Sequence, residues 1–418
     1  MTVLHEQPTG PGTDWPALSG PDGSGRDVRC VLVNALSSTG MSGKHVVYGF
    51  LGELARQLAA SHRFVLLLPE GDEPPADLTR PNIAAAFAPA ATRGWVRRSA
   101  WEMTRLSQMA RDLAADAVIS PSGAALPNLR CPQVVLCMNP WCFVRDAQRG
   151  PLDRLKAAIQ RRRYTASYRS DAQMVFLSDS LRRLYADAAG EPHSPCPSRH
   201  AIAFSGIDAA VYERAAEAKN TARDRHLIVA VSAMARWKGA ETLVDAVARL
   251  RSRGVPARLR LVGPWPDADY ETLVRSQIAS HGLGDAVTLA GKLSRDELLA
   301  EYANAQVFSL PSGCESFGIP AAEAQVFGTP TVASFGRQVD YASAIPEVCG
   351  EGGRFVAHGD AESLADALQR LLTDEPHWRA VSDAARKNAE QFRWASCTRP
   401  FADALRVAAA AAERGATA

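Results

Sequence analysis

The sequence predicts an α/β protein of two doubly wound, Rossmann-like domains, each a parallel sheet with helices on both faces. Three observations carry this. The chain has 418 residues, too many for one ordinary domain. Short, nearly all-apolar runs alternate with stretches whose apolar residues recur at helical spacing, the pattern of βαβ units around a sheet buried on both faces. The alternation stops at a polar Ala/Lys/Arg-rich stretch, 213–226, and then begins again. A linker there separates a first domain over 27–212 from a second over 227–398.

In the first half, strands are predicted at 29–36, 64–70, 117–120, 133–140 and 173–180, with helices over 45–60, near 99–115 and near 153–168. In the second, strands are predicted at 227–233, 257–263, 286–291, 306–311, 331–334 and 354–357, with helices over 240–254, near 268–281, over 295–304 and over 361–373. Ser294 opens the capping box SRDE, in which a hydroxyl and a carboxylate satisfy N–H groups at a helix start. An Ala-rich helix over 399–413 is expected to pack back near the first domain. Residues 1–26, rich in Pro, Gly and Asp and without an apolar run, read as a flexible tail rather than a signal peptide.

Composition narrows the class. Hydrophobic content of 46% and charged content of 22% fit a soluble globular protein. No run approaches the roughly 20 apolar residues that span a bilayer. The eight cysteines form no CxxC pair, which in so long a chain points to reduced thiols and a cytoplasmic location. A net charge of +2 conceals an asymmetry: Arg93 to Arg169 holds 14 Lys/Arg against 5 Asp/Glu. That patch suits an anionic partner such as phosphate or a lipid surface, and equally a set of solvated Arg-rich helix faces. Basic residues beside Trp95 and Trp101, and the helix over 153–169, point to a membrane surface; no recognition motif accompanies them, so nucleic acid is not expected.

Chemistry is sought after the strands, because open parallel sheets bind ligands at their carboxyl ends. The stretch 313–334 reads GCESFGIPAAEAQVFGTPTVAS. Pro320 suits a first helical turn, and Gly328 followed by Pro330 is a stop signal. The N–H groups near 317–319 would then face the cleft from a helix N-terminus, which attracts anions. Glu315 lies in the loop and Glu323 inside the helix. A carboxylate accepts hydrogen bonds from two neighbouring hydroxyls, so two of them can hold two diols, such as those of a sugar and a ribose. The pair alone is open to a second reading: a helix cap and a surface residue.

Set in this context, E-x7-E resembles the donor-binding signature of family 4 glycosyltransferases, which have the GT-B fold. SAMARWKGAETLVDAV, LRLVGPWPDADY, VTLAGKLSRDELLAEYANAQVFSLPS and IPEVCGEGGRFVAHGDAESLADALQRLLTD resemble, in order, the family's second domain. SGIDAAVY resembles the end of its first, and the rest of the first half matches loosely. The resemblance implies a retaining transferase that moves a sugar from a nucleoside diphosphate sugar (UDP-, GDP- or dTDP-linked) to an acceptor hydroxyl, with no cofactor or metal. The acceptor would be a glycan, a lipid-linked sugar or a small molecule, and the enzyme cytoplasmic or peripheral at the membrane's inner face.

The implied roles fall residue by residue. Glu315 would contact sugar hydroxyls and Glu323 the ribose, with Ser316, Phe317 and Gly318 near the sugar or phosphate. Lys238, in RWKG, would neutralise the leaving diphosphate, where negative charge develops. The family's arginine five residues earlier is replaced by Ala233, and Arg236 is the candidate second cation. Gly40 and Gly43 match the N-terminal glycine loop; Lys292, Leu293 and Gly263 lie where the nucleotide is held. Met138 stands where many relatives carry a histidine. Asn139 and His45 are candidates for the acceptor side, each also readable as structural. Three alternatives remain: a degenerate GT-B protein that binds sugar nucleotide or lipid without turnover, a dinucleotide oxidoreductase, and a lipid- or polymer-binding scaffold that uses the basic patch alone. The second lacks its fingerprint, since SSTGMSGK follows the first strand in place of G-x-G-x-x-G.

Overall fold

Short apolar runs, most of them followed by a helix, pair into two parallel sheets. The computed structural model describes residues 3–4, 28–38, 40–145, 148, 150–336, 339 and 342–416. The first sheet contains β1 (Val3–Leu4), β2 (Arg29–Asn34), β3 (His62–Pro69), β4 (Ile83–Ala88), β5 (Ala117–Ser120), β6 (Gln133–Cys137), β7 (Gln173–Phe176) and β8 (His200–Ile202). The second contains β9 (Asp224–Val231), β10 (Arg258–Val262), β11 (Val287–Gly291), β12 (Ala305–Leu310), β13 (Thr331–Ser334) and β14 (Gly353–Val356).

The helices of the first half are α1 (Met41–Gln57), α2 (Trp95–Trp101), α3 (Ser107–Asp112), α4 (Pro151–Tyr168), α5 (Asp179–Ala189) and α6 (Ala209–Glu217). Those of the second are α7 (Ala240–Ser252), α8 (Ala268–Ser280), α9 (Arg295–Asn304), α10 (Ile319–Val326), α11 (Ile345–Cys349), α12 (Ala361–Thr373) and α13 (Glu375–Ala389). The chain ends in α14 (Trp394–Cys397) and α15 (Arg399–Ala416).

Strand order is β1-β4-β3-β2-β5-β6-β7-β8 in the first sheet and β11-β10-β9-β12-β13-β14 in the second. Each order reverses direction once, between β2 and β5 and between β9 and β12. At such a point the loops above the strand ends part and leave a crevice. The largest apolar cluster runs from Val33 and Ile119 through Ile207 and Phe392 to Phe317 and Ile345, so the domains share a packed seam.

Several expectations shift. Val3–Leu4, within the stretch read as a tail, pairs with β4, and residues 5–27 lie outside the described residues. β4 escapes the sequence reading because IAAAFA is mostly alanine, which carries little strand preference. The stretch 173–180 is strand only to Phe176; Ser178 then caps α5 by accepting from Leu181 N. The expected linker 213–226 is helical through Glu217 and enters β9 at Asp224.

The chain crosses between domains twice. After α13 it returns, and α15 packs against β5 to β8 and sets Phe401 edge-on to Phe50. The two crossings touch: Ile207 N–H donates to Phe392 O at 2.7 Å, and the Trp394 indole donates to Asp208 at 3.0 Å.

Candidate functional site

The loops after β9 and β12 flank the second sheet's crossover point. The first forms a short 3-10 turn, Arg236–Lys238, and the second runs from Pro311 to Gly318. Hydrogen bonds tie them together, since Gly313 N–H and the Ser312 hydroxyl both donate to Trp237 O, at 2.7 and 3.2 Å. The tie sets Lys238 Nζ 2.5 Å from Glu315 Oε1, with side chains only 17% and 12% exposed. Two residues 77 positions apart thus form one charge pair in the crevice. Glu315 is fixed on its backbone too: its N–H donates to Ala342 O and its O accepts from Ala344 N.

Gly318 stands at the N-terminus of α10 with φ +93°, a left-handed conformation, and a Cβ there would meet Ile345 at 2.9 Å. The turn leaves the N–H groups of Ser316, Phe317 and Gly318 without an acceptor among the described residues. They stand beside Glu315 at a helix N-terminus, where partial positive charge gathers. The Phe317 side chain is buried against Phe204 and Phe392, so it anchors the loop.

Glu323 lies one turn into α10 and is 4% exposed. Its oxygens accept separately from Arg295 Nη2 at 2.6 Å and from the Tyr302 hydroxyl at 3.1 Å. Burial, reinforced by this carboxylate, holds the Tyr302 phenol well above its usual range, so it remains a donor. Arg295 was not singled out by the sequence; its capping-box position says nothing of where its side chain goes. Lys292 is exposed just before that box, and Leu293 is half-buried on the main core.

Other candidates stand further off. Arg236, half-exposed, leans over the Tyr270 ring and lies 3.4 Å from Asp267. Its contacts are on α8 and the residue that caps it, not on Lys238 or Glu315. Ala233 is exposed in the same loop. Gly263 ends β10 at φ +131°, where a Cβ would lie 1.9 Å from Ser232 O, so backbone crowding already requires glycine.

The first domain meets this site from its own strand ends. The Ser178 hydroxyl donates to Ser316 O at 2.7 Å. Trp141 and Val144, after β6, pack with Trp237 and Cys314, the neighbours of Lys238 and Glu315. Burial raises the Cys314 thiol's pKa and keeps it inert. Asn139 is exposed, and its side-chain oxygen accepts from Trp141 N at 2.9 Å. A Cβ on Gly43 would touch only Met138 and Ser38, at 3.8 and 3.9 Å, and one on Gly40 nothing within 4 Å. The backbone at the start of α1 is therefore open to approach. His45 Nε2 lies 3.1 Å from Gly206 O, and its ring stacks at a tilt on Trp394, at the interdomain crossing.

Two facing doubly wound domains, with a charge pair and a helix N-terminus between them, define a protein of the GT-B fold. Solved structures agree on the fold. Sucrose-phosphate synthase from Thermosynechococcus elongatus has a TM-score of 0.68 at 19% identity, covering 93% of this chain and all of that one. Anabaena HepE in complex with UDP and glucose has a TM-score of 0.63 at 17% identity, covering 90% and 99%.

Residues 212–388, from α6 to α13, match the family model of Glycosyl transferases group 1. The MMP alpha-(1->4)-mannosyltransferase of Mycolicibacterium hassiacum is 39% identical over 180 residues, 42% of this chain and 41% of that protein. The D-inositol 3-phosphate glycosyltransferase of Corynebacterium aurimucosum is 30% identical over 237 residues, 52% and 54%. The chain spans about half the length of the curated relatives it matches.

Proposed function

We propose that the protein is a retaining glycosyltransferase that moves a sugar from a nucleoside diphosphate sugar to an acceptor hydroxyl. The observation that carries this reading is the Lys238–Glu315 pair beside the open N–H groups of Ser316, Phe317 and Gly318. A diphosphate entering there meets an ammonium and a helix N-terminus, both of which stabilise the charge that grows as the sugar leaves. Glu315, released from Lys238 by the incoming anion, becomes free to accept hydrogen bonds from the sugar. The leaving phosphate oxygen takes the acceptor's proton on the same face, so neither Met138 nor Asn139 has to act as a base. Closure of the domains keeps water from the donor.

Relatives suggest the donor class. HepE is described with UDP and glucose, and two relatives are named for mannosyl and inositol-phosphate glycosyl transfer. The decisive experiment measures thermal stabilisation by a panel of UDP-, GDP- and dTDP-sugars, then turnover of the best one. Lys238→Ala and Glu315→Ala should each lower turnover about 100-fold, the scale of losing one electrostatic stabiliser. Wild-type rates from either would refute the assignment.

A peripheral membrane location belongs to the same reading. Among the described residues no helix is long and apolar enough to cross a membrane. Yet α4 exposes Leu152, Leu155 and Ile159 at 83%, 60% and 48%, at spacings that share one helix face. Arg154, Lys156, Arg161 and Arg162 surround them. An apolar stripe within basic residues suits the interface of an anionic bilayer.

A further inference from the structure

The first sheet has its own crossover point, between β2 and β5, and β7 of the same sheet ends against the second domain, where the Ser178 hydroxyl meets Ser316 O. What stands there is polar, buried and incompletely bonded. A π-turn, Glu102–Leu106, interrupts the helical stretch between α2 and α3. Such turns widen a helix and re-aim one side chain, often at a functional site. Here Glu102, 6% exposed, accepts from Asn34 Nδ2 at 2.8 Å through Oε1. Its Oε2 makes no hydrogen bond among the described residues.

Ser120, 0% exposed, is next to Asn34 by register, since Val33 pairs with Ile119 one residue earlier. Its hydroxyl has no partner among the described residues, nor have those of Ser37 and Ser38 in the turn after β2. Leaving buried hydroxyls unpaired costs about 1–3 kcal/mol each. Asn34 joins its register neighbour Ser120 to Glu102, so unpaired hydroxyls and a buried carboxylate stand at one strand crossover.

We propose that Glu102, Asn34, Ser120 and the Ser37–Ser38 turn form the acceptor's binding pocket, and that it takes a neutral polyol. This rests on the glycosyl-transfer reading and names its second substrate class. Glu102 Oε2 accepts from one ring hydroxyl, and the serines exchange hydrogen bonds with its neighbours. A phosphate is disfavoured at Glu102 by like charge. Two cations act on this carboxylate, Arg98, which donates to Leu36 O at 3.4 Å, and Arg163, while Lys44 and Arg93 are held by Asp72 at 3.0 and 2.6 Å. Burial raises the Glu102 pKa, and the Asn34 hydrogen bond offsets this only in part.

The test reads binding without turnover. Saturation-transfer NMR on the full chain, with and without UDP or GDP, uses myo-inositol, methyl α-D-mannopyranoside and glucose 1-phosphate as probes. Signal is expected from a neutral polyol, and it should fall about 5-fold in Ser120→Ala and at least as far in Glu102→Gln. Nucleotide binding should not change in either variant. Polyol signal that survives both substitutions, nucleotide binding with no polyol signal in the wild type, or signal from the phosphorylated probe alone would overturn the proposal. Should Glu102→Gln not fold, Ser120→Ala decides. Polyol binding lost on substitution, in a protein that binds no nucleotide, would leave the pocket standing and refute the donor reading instead.

Discussion

Glu323 and Glu315 share a motif and differ in their surroundings. Glu315 faces one ammonium, that of Lys238, at the crevice, whereas Glu323 is buried and holds both Arg295 and the Tyr302 hydroxyl. Glu323→Ala should therefore cost stability as well as donor binding, on the order of 1–3 kcal/mol for the stranded Tyr302 hydroxyl. A thermal melt lowered by several degrees, together with weaker nucleotide binding, is the expected outcome; an unchanged melt would show that these contacts contribute nothing to the fold. Glu315 and Lys238 are legible in the sequence because each follows a clear strand and stands beside a glycine turn. Glu102, Arg295 and Tyr302 are not, because they sit mid-helix or in a cap, and only the packing of one element on another reveals what they reach. Phe317 is legible as a position but not as a role: its backbone faces the crevice while its ring anchors the seam.

Among the elements, the short edge strand β8 carries a pH-sensitive group. His200 is buried against the Tyr168 ring at 4.3 Å, its Nε2 without a partner among the described residues. Burial first, then Arg199, lowers its pKa to about 4. The unfolded chain thus binds this proton near pH 6.5 and the folded one only near pH 4, so stability falls with acidification through that window. His200→Phe keeps the stacking and should flatten the loss, read as the urea midpoint between pH 6.5 and 4; parallel curves would remove His200 as its source. For α4, Leu152→Ser with Leu155→Ser should weaken cosedimentation with phosphatidylglycerol vesicles several-fold and leave phosphatidylcholine controls unchanged. Equal binding by the variant would exclude this face. Long apolar runs such as LIVAV are legible as strands because both sheet faces are covered. β4 and β8, made of alanine and three residues respectively, are recognisable only by their pairing. The break in helical geometry at Glu102 leaves no pattern in the sequence, since no Pro or Gly interrupts 95–112.

Across the whole molecule, the two domains are held by a few directed contacts besides the apolar seam. The Glu347 carboxylate, from α11, accepts from Asp179 N, Ser180 N and the Ser180 hydroxyl at 2.8, 2.9 and 2.7 Å. It thereby caps α5 of the other domain, where a helix N-terminus favours negative charge. Glu347→Ala should loosen the arrangement by about 2 kcal/mol. The expected signature is a larger radius of gyration by X-ray scattering and faster proteolysis between domains. A scattering curve identical to the wild type's would show that other contacts hold the domains.

The doubled crossing has a mechanical consequence. Ile207 is hydrogen-bonded to Phe392, Trp394 to Asp208, and the Tyr212 hydroxyl to Ala389 O, so the outgoing and returning chains form one stiff ribbon. A single strand would let one half spin about it freely. Two chains tied at three points resist the torsion that one chain would permit, so any relative movement of the halves is limited to bending about this ribbon, as a door is by a leaf spring.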